Sequence, residues 1–219
     1  EADFLAMPCN MAALRLVLTW PDWPAPAAVI FGPPQSGKTY LAKIWQARSG
    51  AAVVTGEELN EFCRRPPDRP VIVEDLDRAS LPETALFHLL NGAREHGTFV
   101  LLTARTPPGS WQITLPDLGS RLRSYPAVGI EPPDETHLAQ LLVKHFGDRH
   151  IEVAPDVVSY LSARIERSMA AAKRVTAHID RLALSEHRKI TRAFAAKVFK
   201  ELDAVSAADE DNEDQRKTP

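Results

Sequence analysis

Residues 29–40 read VIFGPPQSGKTY. Three apolar residues, Val29-Ile30-Phe31, run into Gly32, and Gly37-Lys38-Thr39 follow after four intervening positions. A buried strand, a glycine-bounded loop and a Lys-Thr pair opening a helix make the Gly-x4-Gly-Lys-Thr phosphate loop, the Walker A motif. A chance match in a chain this long is on the order of 1%. The glycines let backbone N–H groups face phosphate oxygens. Lys38 reaches the β- and γ-phosphates, Thr39 offers a hydroxyl to Mg²⁺, and the helix N-terminus adds its partial positive charge. Gly32, Pro34, Gln35, Ser36, Gly37, Lys38, Thr39 and Tyr40 are therefore the expected nucleotide-binding residues. Gln35 stands where many such loops carry a third glycine.

Working outward, helical periodicity over Met11–Leu18 stops at WPDWPAP (Trp20–Pro26), because proline cannot donate to a helix and drives its predecessor extended. Strands are expected at Ala27–Phe31, Ala51–Val54, Val71–Val73, Thr98–Thr103 and Val128–Ile130. Helices are expected at Thr39–Arg48, Glu57–Cys63 and Pro82–Glu95. Apolar strands alternating with amphipathic helices indicate an α/β fold, a parallel sheet flanked by helices. Beyond EPPDE (Glu131–Glu135) the strands cease. Apolar stripes at Leu138/Leu141/Leu142/Phe146, Val157/Val158/Leu161/Ile165, Met169/Ala172/Val175/Ile179/Leu182 and Phe194/Val198/Leu202 predict a small helical bundle. The organisation expected is a nucleotide-binding subdomain over 1–131, a helical subdomain over 132–202 (a lid, in the family resemblance given below) and an acidic, disordered tail over 203–219.

Composition narrows the function classes. With 26 Lys+Arg against 29 Asp+Glu the net charge is −3, too little positive charge for a protein that coats DNA nonspecifically. Six of the acids fall in Asp203–Pro219 beside two bases, so the body is close to neutral. Two cysteines, Cys9 and Cys63, form no CxxC pair and predict neither zinc nor a disulfide. No apolar run approaches the roughly 20 residues that span a bilayer, so a cytoplasmic protein without membrane contact is expected.

Val71-Ile72-Val73-Glu74-Asp75 has the form of a Walker B strand, whose terminal acids anchor Mg²⁺ and orient water. It also reads as the polar loop that ends any parallel strand. Thr39 and Asp75 are the candidate Mg²⁺ ligands, partly through water. The Glu-Asp order reverses the usual pair, which disfavours catalysis more than binding. In SRLRS, Arg121 and Arg123 fit either an arginine finger delivered to a neighbour's γ-phosphate or a solvated helix end.

The phosphate loop, the Glu74-Asp75 strand, LLTARTPPGSWQITLPDLGSRLRS and AVGIEPPDE together resemble the AAA+ module of the DnaA replication-initiator family. They are most similar to its Hda branch of short homologues that inactivate the initiator, and the similarity covers roughly residues 3–202. The resemblance implies an AAA+ P-loop fold with ADP or ATP and Mg²⁺ as cofactors. It places Thr103 in the sensor-1 region, Arg121 at the arginine finger acting in trans, and Phe4 and Leu5 along the adenine pocket. Arg105 stands where the family often has an acid. Ala170 aligns with the sensor-2 arginine, for which Arg167 one turn earlier is a substitute. The segment between Lys38 and Asp75 is shorter than in initiators, and the chain ends in an acidic tail where initiators carry a DNA-reading domain.

The implied function is a regulator that docks on ATP-loaded DnaA beside the DNA sliding clamp and stimulates ATP hydrolysis there, with weak hydrolysis of its own. DNA would be engaged only indirectly, and a homodimer is left open. The clamp-binding peptide of such proteins is expected before Glu1, since Glu1–Asn10 contains none and QLLVKHF (Gln140–Phe146) has the spacing of a core helix. The alternatives are an autonomous ATPase acting on DNA, such as an initiator module or DnaC-like helicase loader, and a small-molecule kinase.

Overall fold

A computed structural model describes residues 4–63, 68–77 and 80–201. The expected tail over 203–219 lies outside the described residues. The chain divides into two compact units, Glu1–Pro132 and Pro133–Pro219.

The first unit is built on a five-stranded sheet of order β2-β3-β4-β1-β5. Its strands are β1 (Ala27–Phe31), β2 (Ala52–Thr55), β3 (Val71–Glu74), β4 (Val100–Ala104) and β5 (Ala127–Gly129), and every pairing is parallel. The central strands contain almost nothing but apolar residues because both faces are covered. Ala27–Ile30, Val71–Val73 and Val100–Leu102 are all 0% exposed. Parallel pairing requires crossovers, supplied by α2 (Lys38–Ser49), α3 (Leu59–Phe62), α4 (Glu83–His96) and α5 (Pro116–Ser124), with α1 (Pro8–Leu18) ahead of the sheet. In α4, Leu86, Leu89, Leu90 and Ala93 fall on one stripe and are buried against Val71, Val73, Val100 and Leu102 in one cluster. Gly50 and Gly97 end α2 and α4 in the left-handed conformation that suits glycine.

The WPDWPAP segment does more than stop α1. Trp23 stacks on Trp45 of α2 with centroids 5.3 Å apart, and Trp20 meets Trp45 edge-on at 5.9 Å. These aromatics anchor α2 at the end of the sheet opposite the phosphate loop.

The second unit is helical: α6 (Glu135–Gly147), α7 (Pro155–Ser162), α8 (Met169–Ser185) and α9 over residues 192–201. Asp134 and Ser168 cap α6 and α8, accepting from the N–H groups of His137 and Ala171. Leu138, Leu142, Phe146, Val157, Leu161, Ala172, Ile179, Phe194 and Val198 form its buried interior. Within Gln140–Phe146, Leu141, Leu142 and Phe146 are all buried, so this stretch is not displayed as a docking peptide. No described helix is long and apolar enough to cross a membrane.

Candidate functional site

The carboxyl ends of β1, β3 and β4 converge, and there the sheet order places the phosphate loop beside the strand that ends in acids. Ligands of open parallel sheets bind at such strand ends. Gly32 leaves β1 with φ +154°, and a Cβ there would sit 2.9 Å from the carbonyl of Ile130, so only glycine fits. Gln35 adopts the left-handed φ of 59° that a third glycine would adopt without cost. Gly37, at φ 100°, is the N-cap of α2.

Lys38 is buried, and its Nζ donates to the carbonyls of Gly32 at 2.7 Å and Pro33 at 2.9 Å. Burial holds its amine below the ordinary lysine value and Arg105 adds to that, while Asp75, Asp77 and Glu74 oppose it. Three carboxylates and one guanidinium thus share the field of this ammonium. Ser36 Oγ is buried within the loop and has no hydrogen-bond partner among the described residues. An orphaned hydroxyl next to a buried ammonium fits an anionic ligand with several acceptor oxygens. Thr39 is exposed at the head of α2. Its hydroxyl and the Asp75 carboxylate are the hard oxygen donors that Mg²⁺ takes. Pro34 and Gln35 are exposed on the loop's outer turn.

The end of β4 is stitched to both neighbours. Thr103, 1% exposed, uses its Oγ1 to accept from Asp75 N–H at 3.0 Å and its carbonyl to accept from Leu76 N–H at 2.9 Å. The carbonyl of Ala104 accepts from Gly32 N–H at 3.2 Å. The Asp77 carboxylate accepts from Arg105 N–H at 2.8 and 2.9 Å, from Thr106 N–H at 2.9 Å and from the Thr106 hydroxyl at 2.8 Å. Asp75 sits past the strand at φ 50°, so the two acids of the expected pair leave the sheet in different backbone states. Beside them a cleft of about 420 Å³ is lined by Thr55, Gly56, Glu57, Asn60, Glu74 and Asp75. Sequence reasoning missed Asp77; an acid in a polar loop after a strand carries no distinguishing signal.

Arg121 lies elsewhere in the same unit. Its Nη1 donates to Asn91 Oδ1, and its guanidinium lies 5.0 Å from the centroid of Phe87, both on α4. It is not among the charges that act on Lys38. The strand-end site gathers Lys38, Glu74, Asp75, Thr103 and Arg105, whereas Arg121 is held on α4. The approach to α5 is held by Glu83, which accepts from Thr114 N–H at 2.9 Å and Leu115 N–H at 2.8 Å. Those two bonds keep its carboxyl below the usual range. Asn91 and Glu83 were also missed.

Phe4 stacks on Tyr40 with centroids 5.3 Å apart, and its ring lies 3.5 Å from where a Cβ on Gly37 would stand. Leu5 follows, its carbonyl accepting from Asn10 Nδ2 at 3.0 Å. An apolar, aromatic wall thus borders the phosphate loop. Arg167 and Ala170 belong to the helical unit, Arg167 exposed ahead of α8 and Ala170 in its first turn. Among the described residues no group of three His, Cys, Asp or Glu is arranged to hold a metal.

The model of the "Hda, lid domain" family matches residues 134–199. Domain III of the Thermotoga maritima replication initiation protein DnaA superposes with a TM-score of 0.77 at 17% identity, covering 91% of this chain and 95% of that one. AMPPCP-bound DnaA from Aquifex aeolicus gives 0.72 at 17% identity, covering 91% of this chain and 68% of that one. The Thermotoga maritima RuvB branch-migration motor gives 0.71 at 16%, covering 91% and 70%. The chain spans 63% of a DnaA structure bound to AMPPCP and single-stranded DNA. At these identities the likeness shows a shared fold, that of the AAA+ module, and over residues 134–199 the chain is similar to the Hda lid family.

Proposed function

We propose that this chain is a regulatory nucleotide-binding protein that docks on ATP-loaded DnaA and stimulates hydrolysis in the partner, restraining replication initiation. ADP or ATP with Mg²⁺ occupies its own phosphate loop, held by Lys38, Ser36 and the loop amides, with Thr39 and Asp75 as the magnesium ligands. The base rests against Phe4, Leu5 and Tyr40, Thr103 acts as sensor 1, and Arg167 serves the lid. The AMPPCP bound by the Aquifex relative supports nucleotide occupancy of this fold.

The observation that carries the reading is Arg121. Its guanidinium is held by Asn91 and Phe87 on α4, neither of them a residue of the phosphate loop. A cation presented away from its own phosphate loop suits a phosphate on a neighbour. The sliding clamp is a further partner, DNA is reached through the clamp, and the work is cytoplasmic.

The test is hydrolysis measured twice: by the chain alone, and by ATP-loaded DnaA with clamp-loaded DNA and the chain added. Slow turnover alone with clear stimulation in the mixture supports the regulator. Brisk turnover alone, abolished by Lys38→Ala, overturns it in favour of an autonomous ATPase acting on DNA.

A further inference from the structure

On the helical unit, Tyr160 of α7 carries two guanidinium groups. Arg164, just past the helix, lies 4.1 Å from the ring centroid, and Arg192, at the start of α9, lies 5.7 Å from it. Both arginines are exposed and Tyr160 is half-buried. One N–H of Arg164 is spent on the carbonyl of Tyr160 at 3.2 Å, which fixes the guanidinium relative to the helix. Among the described residues neither arginine is ion-paired, and Glu166 and Glu186 pair with other bases. Glu186 meets Lys197 at 3.2 Å and Arg188 at 3.5 Å, while Glu166 meets Arg174 at 3.7 Å.

A guanidinium laid on an aromatic ring keeps its edge donors for a planar or tetrahedral oxyanion, and arginine gives up its hydration there more readily than lysine. The surroundings extend the charge: residues 186–201 hold five Lys/Arg against two Asp/Glu. Isolated carboxylates could pair with one arginine. A ring flanked by two unpaired guanidiniums and a basic loop matches a polyanion that offers repeated phosphates and flat faces for stacking.

We propose that Tyr160, Arg164 and Arg192 form a phosphodiester-binding platform by which the lid touches a nucleic-acid strand directly. With two principal phosphate contacts the binding is weak and only shallowly salt-dependent, in keeping with a chain whose net charge is −3. It supplements contact through a clamp and does not depend on the phosphate loop.

The test is fluorescence anisotropy of a short labelled single strand, and of the matching duplex, titrated with the full chain over a range of salt. The wild type binds, and Arg164→Gln/Arg192→Gln weakens binding roughly tenfold at low salt. It also lowers the slope of log K against log salt by about 1.4 for a single strand. Arg48→Gln, an exposed arginine on the other unit, controls for loss of charge and stays within about twofold of the wild type. Binding of either oligonucleotide with this pattern supports the platform, and the tighter one identifies the form preferred. Equal binding by the double variant and the Arg48 control overturns the proposal, as does a wild type that binds neither oligonucleotide. Binding of a peptide of residues 203–219 through the same arginines, with both oligonucleotides ignored, overturns it in favour of the acidic tail.

Discussion

Replacing Thr103 by valine keeps the shape of the side chain and deletes one acceptor. Thr103 is 1% exposed, and its Oγ1 accepts the N–H of Asp75 at 3.0 Å. That bond holds Asp75 at φ 50°, a left-handed state that costs a non-glycine residue roughly 1–2 kcal/mol. Valine leaves the part-buried N–H without a partner, a loss of about 1–2 kcal/mol. The sheet survives, because the carbonyl of residue 103 still accepts from Leu76 N–H at 2.9 Å. For a chain of this size each kcal/mol lowers Tm by about 2–4 °C. Thr103→Ser keeps the acceptor and loses one buried methyl, worth roughly 0.8 kcal/mol. The more informative difference is functional. Asp75 is the foremost of the charges that oppose the lowering of the Lys38 pKa, so freeing its backbone disturbs the phosphate site while the serine variant does not. Thermal melts by circular dichroism, with titration of a fluorescent ADP analogue, report both effects. A valine variant that melts and binds like the wild type, or a serine variant that binds worse than valine, refutes the reasoning.

Other perturbations have equally definite outcomes. Lys38→Ala removes the buried ammonium that faces Asp75 and Asp77, and affinity for the same analogue should fall at least about a hundredfold, the scale of a charge-assisted phosphate contact; retained affinity would place the nucleotide elsewhere. Phe4→Ala removes the ring stacked on Tyr40 and should weaken adenine nucleotides while leaving inorganic triphosphate unaffected, as competition titrations would show. Burial holds the His145 imidazole below its ordinary value, with Asp148 opposing and Lys144, Arg149 and Lys173 adding to the lowering. The unfolded chain therefore takes up that proton first, so stability of the helical unit is full above the ordinary histidine value of about 6.5 and declines as pH falls towards the folded value. The urea midpoint should drop with acidification in the wild type and less in His145→Gln; the same pH dependence in both would dismiss the residue.

The strands were legible because a parallel sheet covered on both faces demands uninterrupted apolar runs, as in Ala27–Phe31 and Val71–Val73. Leu86, Leu89, Leu90 and Ala93 were legible as one stripe for the equivalent reason in a helix. The phosphate loop announces itself because few residues other than glycine satisfy its backbone, as Gly32 shows. The supports around it left no such trace. Asp77 meets Arg105 28 residues away, Arg121 meets Asn91 30 away, and Glu83 meets Thr114 31 away. Each is an ordinary polar residue in a half-buried position, and only the juxtaposition of distant segments gives it a partner. The tryptophans of WPDWPAP read as a helix stop, since their packing on Trp45 depends on where α2 lies.

The measurement that bears most directly on the central claim is ATP hydrolysis by DnaA in the presence of clamp-loaded DNA, with the wild-type chain or with Arg121→Ala. The variant loses its contacts to Asn91 and Phe87 at a part-buried surface site, so a melt establishes that it remains folded, and a nucleotide titration that its own loop still binds. The account predicts intact binding and a loss of stimulation of about 10³-fold or more, the range an arginine finger supplies. A folded Arg121→Ala chain that stimulates DnaA as well as the wild type contradicts it.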